Sequence, residues 1–254
     1  MMEDVMRRIR LKVAYDGTNY CGWQMQNNGP TIEGELHKAL RQVLGEDVVL
    51  TGASRTDAGV HSLGNAAVFD TDSRIPADKF CYALNQWLPD DIIVQESDEV
   101  PPNWHPRKQK SRKTYEYRIL NRHMPDPTRR LDTHFYYRKL DVTKMQQAAS
   151  YLEGEHDFTS FASVHMTVPT AVRTIYSCTV EKSGDIIAIR VCGSGFLYNM
   201  VRIIAGTLIE VGCGMREADD IPRILEAKNR EEAGPTAPAR GLTMIGIVYG
   251  DVSS

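Results

Sequence analysis

The sequence predicts an α+β fold of two antiparallel-sheet domains of split βαβ (ferredoxin-like) type, with their sheets joined and a basic cleft between them. Apolar and basic residues alternate along 8–15, as in a half-buried antiparallel strand. The chain up to residue 96 follows the order strand, helix, strand, strand, helix, strand, which is that of a split βαβ unit. A similar order recurs beyond the proline-rich junction at 101–106, so we predict domains at 1–106 and 107–254.

Composition and charge narrow the class of protein. The 254 residues are 42% hydrophobic and 25% charged, which is ordinary for one or two globular domains. The net charge of −3 argues against indiscriminate binding of polyanions, so a nucleic-acid partner requires a local basic surface. Five cysteines without a CxxC pair, and no apolar signal segment, predict a cytoplasmic protein with reduced thiols.

The elements of the N-terminal domain follow from local patterns. After the strand at 8–15, apolar residues at helical spacing predict a helix, with Thr31 as its N-cap and Gly45 at its C-terminal end. β-Branched runs bounded by turn residues predict short strands. The remaining predicted elements are strands at 48–50 and 66–69, a helix at 76–88 and a strand at 91–96.

A polar loop at 51–63 joins the two short strands of this domain. Its centre reads RTDAGVH, beginning at Arg55. The Asp57 carboxylate can act as a base or a nucleophile, the Arg55 guanidinium can bind phosphate bidentately, and Gly59 permits a positive φ. The spacing alone favours an ordinary Asp-Ala-Gly turn with one solvated salt bridge, and the catalytic interpretation stays open beside it.

The most basic stretch of the chain follows the junction. Residues 107–122 contain seven Lys or Arg residues and one acid, Glu116, for a local net charge of 7 − 1 = +6. Tyr115 and Tyr117 alternate within the stretch and so lie on one face of a strand. Interleaved cations and rings suit RNA, because cations bind phosphates and rings stack on bases. A solvated edge strand that resists aggregation fits the same pattern, so both interpretations remain.

The rest of the C-terminal domain contains several predicted elements: a short strand at 134–137, a helix capped by Asp141, a hairpin over 173–192, a helix over 199–211 and a strand from Leu242 to Tyr249. The sequence GSGFLYNMVR at 193–202 lacks the third glycine of a dinucleotide fingerprint, so we reject that site. By its pattern alone, Arg202 is a charge on a helix surface. Scattered histidines without ligand spacing predict no metal site.

Several of these motifs resemble a single known family. RTDAGVH at 55–61 strongly resembles the signature of the tRNA pseudouridine synthase A family. Other segments match the same family, so that the resemblance spreads over most of the chain: YDGTNYCGWQ at 15–24, KTYEY at 113–117, GSGFLYNMVR at 193–202 and Gly241-Leu242. Ser54 departs from the pattern, because family members often carry glycine just before the arginine, and the difference concerns the local backbone shape.

The resemblance implies a role for each matched residue. Asp57 is the expected catalytic nucleophile, and Arg202 is expected to pair with it. Tyr115 corresponds to the active-site tyrosine, Leu242 to a segment lining the pocket, and Arg55 is expected to contact the RNA. The implied reaction converts uridine to pseudouridine at positions 38, 39 and 40 in the anticodon arm of tRNA, by base flipping, in a homodimer that needs no cofactor or metal.

Two other functions remain compatible with the residues. A non-catalytic RNA-binding module requires the surface cations but not Asp57, although the RNA-recognition consensus is absent. A small-molecule isomerase or transferase requires a pocket around Asp57 but not the basic stretch. Release of tritium from uracil-labelled tRNA distinguishes all three functions.

Overall fold

The computed structural model describes residues 6–163 and 169–250, and the chain divides into two units. The first unit comprises the described residues up to Ser111 together with those from Met244 onward. The second unit comprises Arg112–Thr243. Each unit combines antiparallel strands with helices, which confirms the predicted α+β class.

Strands and helices alternate along the chain. Its N-terminal part forms β1 (Arg7–Tyr15), α1 (Ile32–Leu44), β2 (Thr51–Gly52), β3 (His61–Thr71), α2 (Phe80–Asn85) and β4 (Ile92–Val100). Then follow β5 (Ser111–Asn121), β6 (His134–Tyr136), α3 (Val142–Ser150), β7 (Gly154–Asp157), β8 (Val172–Ser183), β9 (Ile186–Gly193), α4 (Met200–Gly212), α5 (Asp220–Ala227) and β10 (Leu242–Tyr249).

In the first unit the strand order is β4-β1-β3-β10, and β2 pairs with β3. β1 runs antiparallel to both neighbours, with Leu11 opposite Ala67 of β3 and Ser97 of β4. Alternate β1 side chains enter an apolar core that α1 and α2 also line, as the sequence pattern predicts. Fully buried side chains of this core include Ile9, Leu11, Trp23, Leu36, Phe69, Phe80 and Leu84.

The caps of α1 confirm the predicted helix ends. The Thr31 hydroxyl accepts a hydrogen bond from the Gly34 amide at 3.1 Å, which satisfies one of the free N–H groups of the first turn. Gly45 follows the last turn with φ of 80°, in the left-handed region that favours glycine, and its amide bonds the Arg41 carbonyl.

Two predicted elements of the first unit differ from the structure. The helix predicted over 76–88 is shorter in the structure, where α2 ends at Asn85. Beyond that residue the Trp87 amide bonds the Leu84 carbonyl three residues back, in a tighter turn than an α-helix makes. The strand predicted at 48–50 is wrong: Val49 is 82% exposed, and in this segment Thr51–Gly52 alone pairs with β3. The Asp57 loop therefore begins from a two-residue strand.

In the second unit the strand order is β5-β9-β8-β7, all antiparallel neighbours, and β6 runs parallel to β5. β8 and β9 form the predicted hairpin. α3 packs against β8 and α4, and its N-cap Asp141 accepts hydrogen bonds from the amides of Thr143 and Lys144, as expected. α4 is buried along nearly its whole length.

α5 has no counterpart among the predicted elements, although its sequence carries a helical signal. Ile221, Ile224 and Leu225 recur at helical spacing and are buried. Pro222 lies in the first turn, where the missing N–H would have had no helical partner. The amphipathic pattern thus indicates this helix, and the proline does not interrupt it because it lies in the first turn.

Candidate functional site

The loop that carries Asp57 connects β2 to β3 in the first unit. Burial alternates along it: Arg55 is exposed, Thr56 is 7% exposed and Asp57 is half-buried. Arg55 and Asp57 are thus the accessible side chains on either side of the buried Thr56. The loop therefore carries an exposed guanidinium and a partly accessible carboxylate two residues apart.

The segment that follows β1 packs against this loop. The Trp23 amide donates a hydrogen bond to the Thr56 carbonyl at 3.0 Å. Gly22 makes the close approach feasible, because a Cβ at this position would lie 2.6 Å from the same carbonyl oxygen. Gly59 has φ of 76°, so the chain uses the positive φ that a glycine permits here. The motif at 15–24 thus packs against the Asp57 loop and is hydrogen-bonded to it.

An imidazole–carboxylate pair borders the loop at the start of β3. His61 Nδ1 lies 3.0 Å from a carboxylate oxygen of Asp16 and 3.1 Å from the Gly17 amide nitrogen. Burial alone would raise the pKa of Asp16, but hydrogen bonds from Thr18 and the nearby imidazole outweigh it and lower that pKa. Asp16 is therefore an anion at neutral pH and anchors the end of the loop.

Tyr115 lies on β5 of the second unit, opposite Val191 of β9. The side chain is 8% exposed, and its ring packs edge-to-face on Phe196, with ring centres 5.2 Å apart and planes at 82°. Such aromatic pairs favour this geometry, which fixes the orientation of both rings. The contact links the motifs KTYEY and GSGFLYNMVR within one unit.

Arg202 lies in the first turn of α4 and is half-buried. Its Nε donates to the Ala237 carbonyl at 2.8 Å, and its Nη1 donates to Asn199 Oδ1 at 2.7 Å. The Ala237 amide in turn donates to the Arg202 carbonyl at 3.1 Å. Arg202 is thus tied to the loop at 234–241 and is not a solvated surface charge. Leu242 follows that loop at the start of β10 and is 5% exposed.

Tyr117, on β5, also hydrogen-bonds the loop at 234–241. Its buried hydroxyl donates to the Pro238 carbonyl at 2.9 Å. Burial raises the pKa of Tyr117, and the charges of Arg202 and Arg240 offset that rise only in part. The phenol therefore stays protonated and acts as a structural donor, whereas Tyr115 contacts another ring.

Some cations of the basic stretch at 107–122 interact with other side chains of the protein. Arg122 lies 3.5 Å from the Asp185 carboxylate, an acid from outside the stretch. The Arg112 guanidinium lies 4.6 Å from the centre of the Tyr176 ring, within range of a cation–π interaction. The local charge of +6 counted from the sequence therefore exceeds what the folded surface offers to phosphate.

The five predicted site residues fall into two groups. Arg55 and Asp57 share the loop of the first unit. Tyr115, Arg202 and Leu242 belong to the second unit, where Arg202 is bonded to the loop that precedes Leu242.

The residues that support the Asp57 loop are absent from the sequence-based candidates. Asn65 is fully buried, and its side chain bonds the Ser54 amide at 3.2 Å and the Ser54 carbonyl at 2.9 Å. The Tyr15 hydroxyl lies 2.7 Å from Thr56 Oγ1. Polar side chains at inward-facing strand positions are the sequence signal for such contacts, because buried polar groups need partners.

The described residues contain neither a cluster of metal-ligating side chains nor a helix of membrane-spanning character. Across residues 6–163 and 169–250, no group of three or more His, Cys, Asp or Glu side chains is placed to hold a metal ion. None of the helices in the described part of the chain is long and apolar enough to cross a membrane.

Comparison with known proteins gives one consistent result. A family model described as tRNA pseudouridine synthase matches residues 12–107 and 148–250. The tRNA pseudouridine synthase A of Acetivibrio thermocellus is 48% identical over 244 residues, which cover 96% of this chain and 100% of the relative. The protein of the same name from Ruminiclostridium cellulolyticum is 49% identical over 245 residues, with the same coverage of both chains.

One match among solved structures is more distant in sequence. A chain from an H/ACA ribonucleoprotein bound to a substrate RNA containing 2′-deoxyuridine is 13% identical, with a TM-score of 0.33. The match covers 93% of this chain and 45% of the other. A likeness of this strength supports no conclusion about the site.

Proposed function

Because this chain belongs to the tRNA pseudouridine synthase family and isomerises uridine of tRNA to pseudouridine, we propose that Asp57 is its catalytic nucleophile. The observation that carries this proposal is the half-buried Asp57 carboxylate on a loop that also carries the exposed Arg55. The backbone bond from Trp23 and the packing of Gly22 hold that loop in one shape.

The chemistry requires a group that can release and recapture the base. The bond from ribose C1′ to uracil N1 breaks, the base turns, and a bond from C1′ to the uracil carbon C5 forms. The proton of C5 is lost to solvent and N1 gains one, so that substrate and product are isomers. The Asp57 carboxylate attacks either the ribose or the uracil ring, and this covalent step divides one high barrier into two lower ones.

We assign substrate binding to four further residues. Tyr115 stacks on the extruded base, and the Phe196 contact supports this assignment because it fixes the ring before the base arrives. Arg55 contacts the RNA backbone as the base leaves the stack, which offsets part of the few kcal/mol that flipping costs. Arg202 and Leu242 complete the substrate-binding set.

The preferred substrate is the anticodon arm of tRNA, with uridines 38, 39 and 40 as targets, and the active form is a homodimer. The names of the relatives support tRNA as the substrate class. The cations at 107–113 support a phosphate-binding surface.

We further propose that the first unit is a split βαβ arrangement. The strand order β4-β1-β3 with β2 paired to β3, and antiparallel neighbours throughout, supports this assignment. Two helices, α1 and α2, connect the strands in the required chain positions.

Replacement of the carboxylate tests the nucleophile. Asp57→Asn keeps the side-chain volume and removes the charge, so we expect no pseudouridine formation, with folding and tRNA affinity retained. Tritium release from uracil-labelled tRNA measures turnover, filter binding measures affinity, and thermal unfolding measures stability.

Asp98→Asn is the matched control. It removes an exposed carboxylate that pairs with Arg10 on the same sheet, at 2.7 Å. We expect this variant to retain full turnover, because surface pairs contribute little to stability. Substantial turnover by pure Asp57→Asn would remove Asp57 from the nucleophile role while leaving the family assignment intact.

A further inference from the structure

A buried polar cluster lies beneath the Asp57 loop. We define it as Tyr15, Thr56, Ser62 and Asn65, which are 5%, 7%, 1% and 0% exposed. The Tyr15 hydroxyl is 2.7 Å from Thr56 Oγ1, and the polar side chains of Asn65 and Ser62 lie near it. Three elements thus meet at one phenol: the end of β1, the start of β3 and the loop itself.

Side chains of the cluster hydrogen-bond the two loop residues that flank Arg55. Thr56 is bonded through its side chain to Tyr15, and its carbonyl accepts from the Trp23 amide at 3.0 Å. On the other side of Arg55, the Asn65 side chain bonds the amide and the carbonyl of Ser54. Thr56, the residue directly before Asp57, is thus held at both its side chain and its carbonyl.

Stability alone does not account for the hydroxyl pair. Replacing both partners of a buried hydrogen bond by apolar groups of the same shape can be nearly neutral for the free energy of unfolding. Phe and Val would fill these positions with the same volume. What a directed hydrogen bond adds is a defined geometry, and a displacement of about 1 Å at a reacting group can cost on the order of 100-fold in rate.

We propose that the Tyr15–Thr56 hydrogen bond positions the Asp57 carboxylate for attack, so that Tyr15 and Thr56 are positioning residues of the isomerisation. This inference rests on the proposed role of Asp57. Tyr15 does not itself transfer a proton: burial raises its pKa to about 12, so the phenol stays neutral at the pH where the enzyme works.

A set of single-atom changes tests the proposal. Tyr15→Phe and Thr56→Val each remove one hydroxyl, and Thr56→Ser keeps it. We expect each removal to lower kcat by ~10- to 100-fold with KM for tRNA unchanged. The double variant should be no slower than either single variant, because both act through one bond. Thr56→Ser should restore kcat close to that of the parent protein.

Ser97→Ala is the matched control. It removes a buried hydroxyl of the same unit that accepts from the Cys81 amide at 3.0 Å, away from the loop. We expect this variant to lose stability but to keep kcat. An equal fall of kcat in Ser97→Ala would mean that any buried hydroxyl matters, and the positioning role would be wrong.

The remaining outcomes are equally decisive. Full kcat in folded Tyr15→Phe overturns the proposal, and so does failure of Thr56→Ser to recover. If Thr56→Val does not fold, Tyr15→Phe decides, because it keeps the ring and its packing 6.0 Å from the Trp23 ring. Asp57→Asn measured in parallel separates the two proposals: if it is inactive while Tyr15→Phe is fully active, only the positioning role fails. If Asp57→Asn is active, both roles fail.

Discussion

At the scale of single residues, two candidate roles of Tyr115 can be separated by substitution: the proposed stacking on the base, and transfer of the proton that leaves the rejoined carbon. Stacking needs only the flat ring, whereas proton transfer needs the hydroxyl. The Phe196 contact depends on the ring alone. Substitutions that keep or remove each feature therefore distinguish the roles.

We expect Tyr115→Phe to bind tRNA as tightly as the parent protein, and Tyr115→Leu to lose ~1–3 kcal/mol of binding free energy because stacking is lost. Filter binding measures the affinity. Turnover then divides the roles, because slow product release in Tyr115→Phe indicates proton transfer and normal release indicates stacking alone. Full activity in both variants would place Tyr115 outside the site.

Ser54 shows why part of the site was not predictable from sequence. The family pattern often has glycine here, and the Ser54 Oγ is buried without a hydrogen-bond partner among the described residues. The backbone of Ser54 is instead fixed by Asn65, eleven residues further along the chain. Motif matching identified Arg55 and Asp57 as candidates, but it does not identify a supporting amide on the next strand.

At the scale of elements, strand β5 carries a buried carboxylate between two guanidinium groups. Glu116 is 4% exposed and lies opposite Arg190 of β9, whose Nη2 donates to it at 2.6 Å. Arg118 Nε donates to its other oxygen at 2.7 Å. Burial alone would raise the pKa of Glu116, but the hydrogen bonds and charges of the two arginines together lower it.

The lowered pKa predicts how stability depends on pH. A carboxylate whose pKa is lower in the folded state stabilises the fold above its ordinary pKa of about 4.3, and loses that contribution as pH falls through the folded value. Glu116→Gln should therefore reduce the free energy of unfolding at pH 7 by about 1–2 kcal/mol, a modest value because Arg190 is 57% exposed. Denaturant unfolding at several pH values measures the difference, which should vanish in acid. A difference independent of pH would contradict the lowered pKa.

A second prediction concerns tRNA binding by the basic residues of β5 and of the segment before it. Reversing Lys110, Arg112 and Lys113 together should weaken tRNA binding and flatten its dependence on salt, since fewer counterions are released. Affinity measured over a range of salt concentrations gives the slope. Reversal of three exposed lysines elsewhere, at 38, 79 and 182, changes the net charge equally and should leave the slope nearly unchanged. Equal slopes in both triple variants would make the stretch a solvated edge.

At the scale of the whole molecule, the resemblance predicts an assembly of two copies. The chain has a mass of 28.6 kDa, so light scattering at micromolar concentration should report a particle of about twice that mass. Activity should fall on dilution below the dimer dissociation constant. A monomer that retains full activity would contradict a site that needs two subunits.

Local patterns predicted most elements but not their long-range neighbours. The alternation of β1, the caps of α1 and the β8–β9 hairpin are confirmed because each depends on residues close in sequence. The placement of β10 next to β3 joins segments from opposite ends of the chain, and no local signal encodes that pairing.

This placement of β10 sets an order of events during synthesis. The ribosome completes the N-terminal strands of the first unit early, but then adds the whole of Arg112–Thr243 before Met244 emerges. At roughly 5–20 residues per second, that interval lasts on the order of ten seconds. Throughout it, the part of β3 near Gly64 lacks its neighbour, since Ile245 and Gly246 are not yet made. A nascent sheet with an open edge is a template for wrong pairing, so we expect β3 to be most exposed to mispairing during this interval.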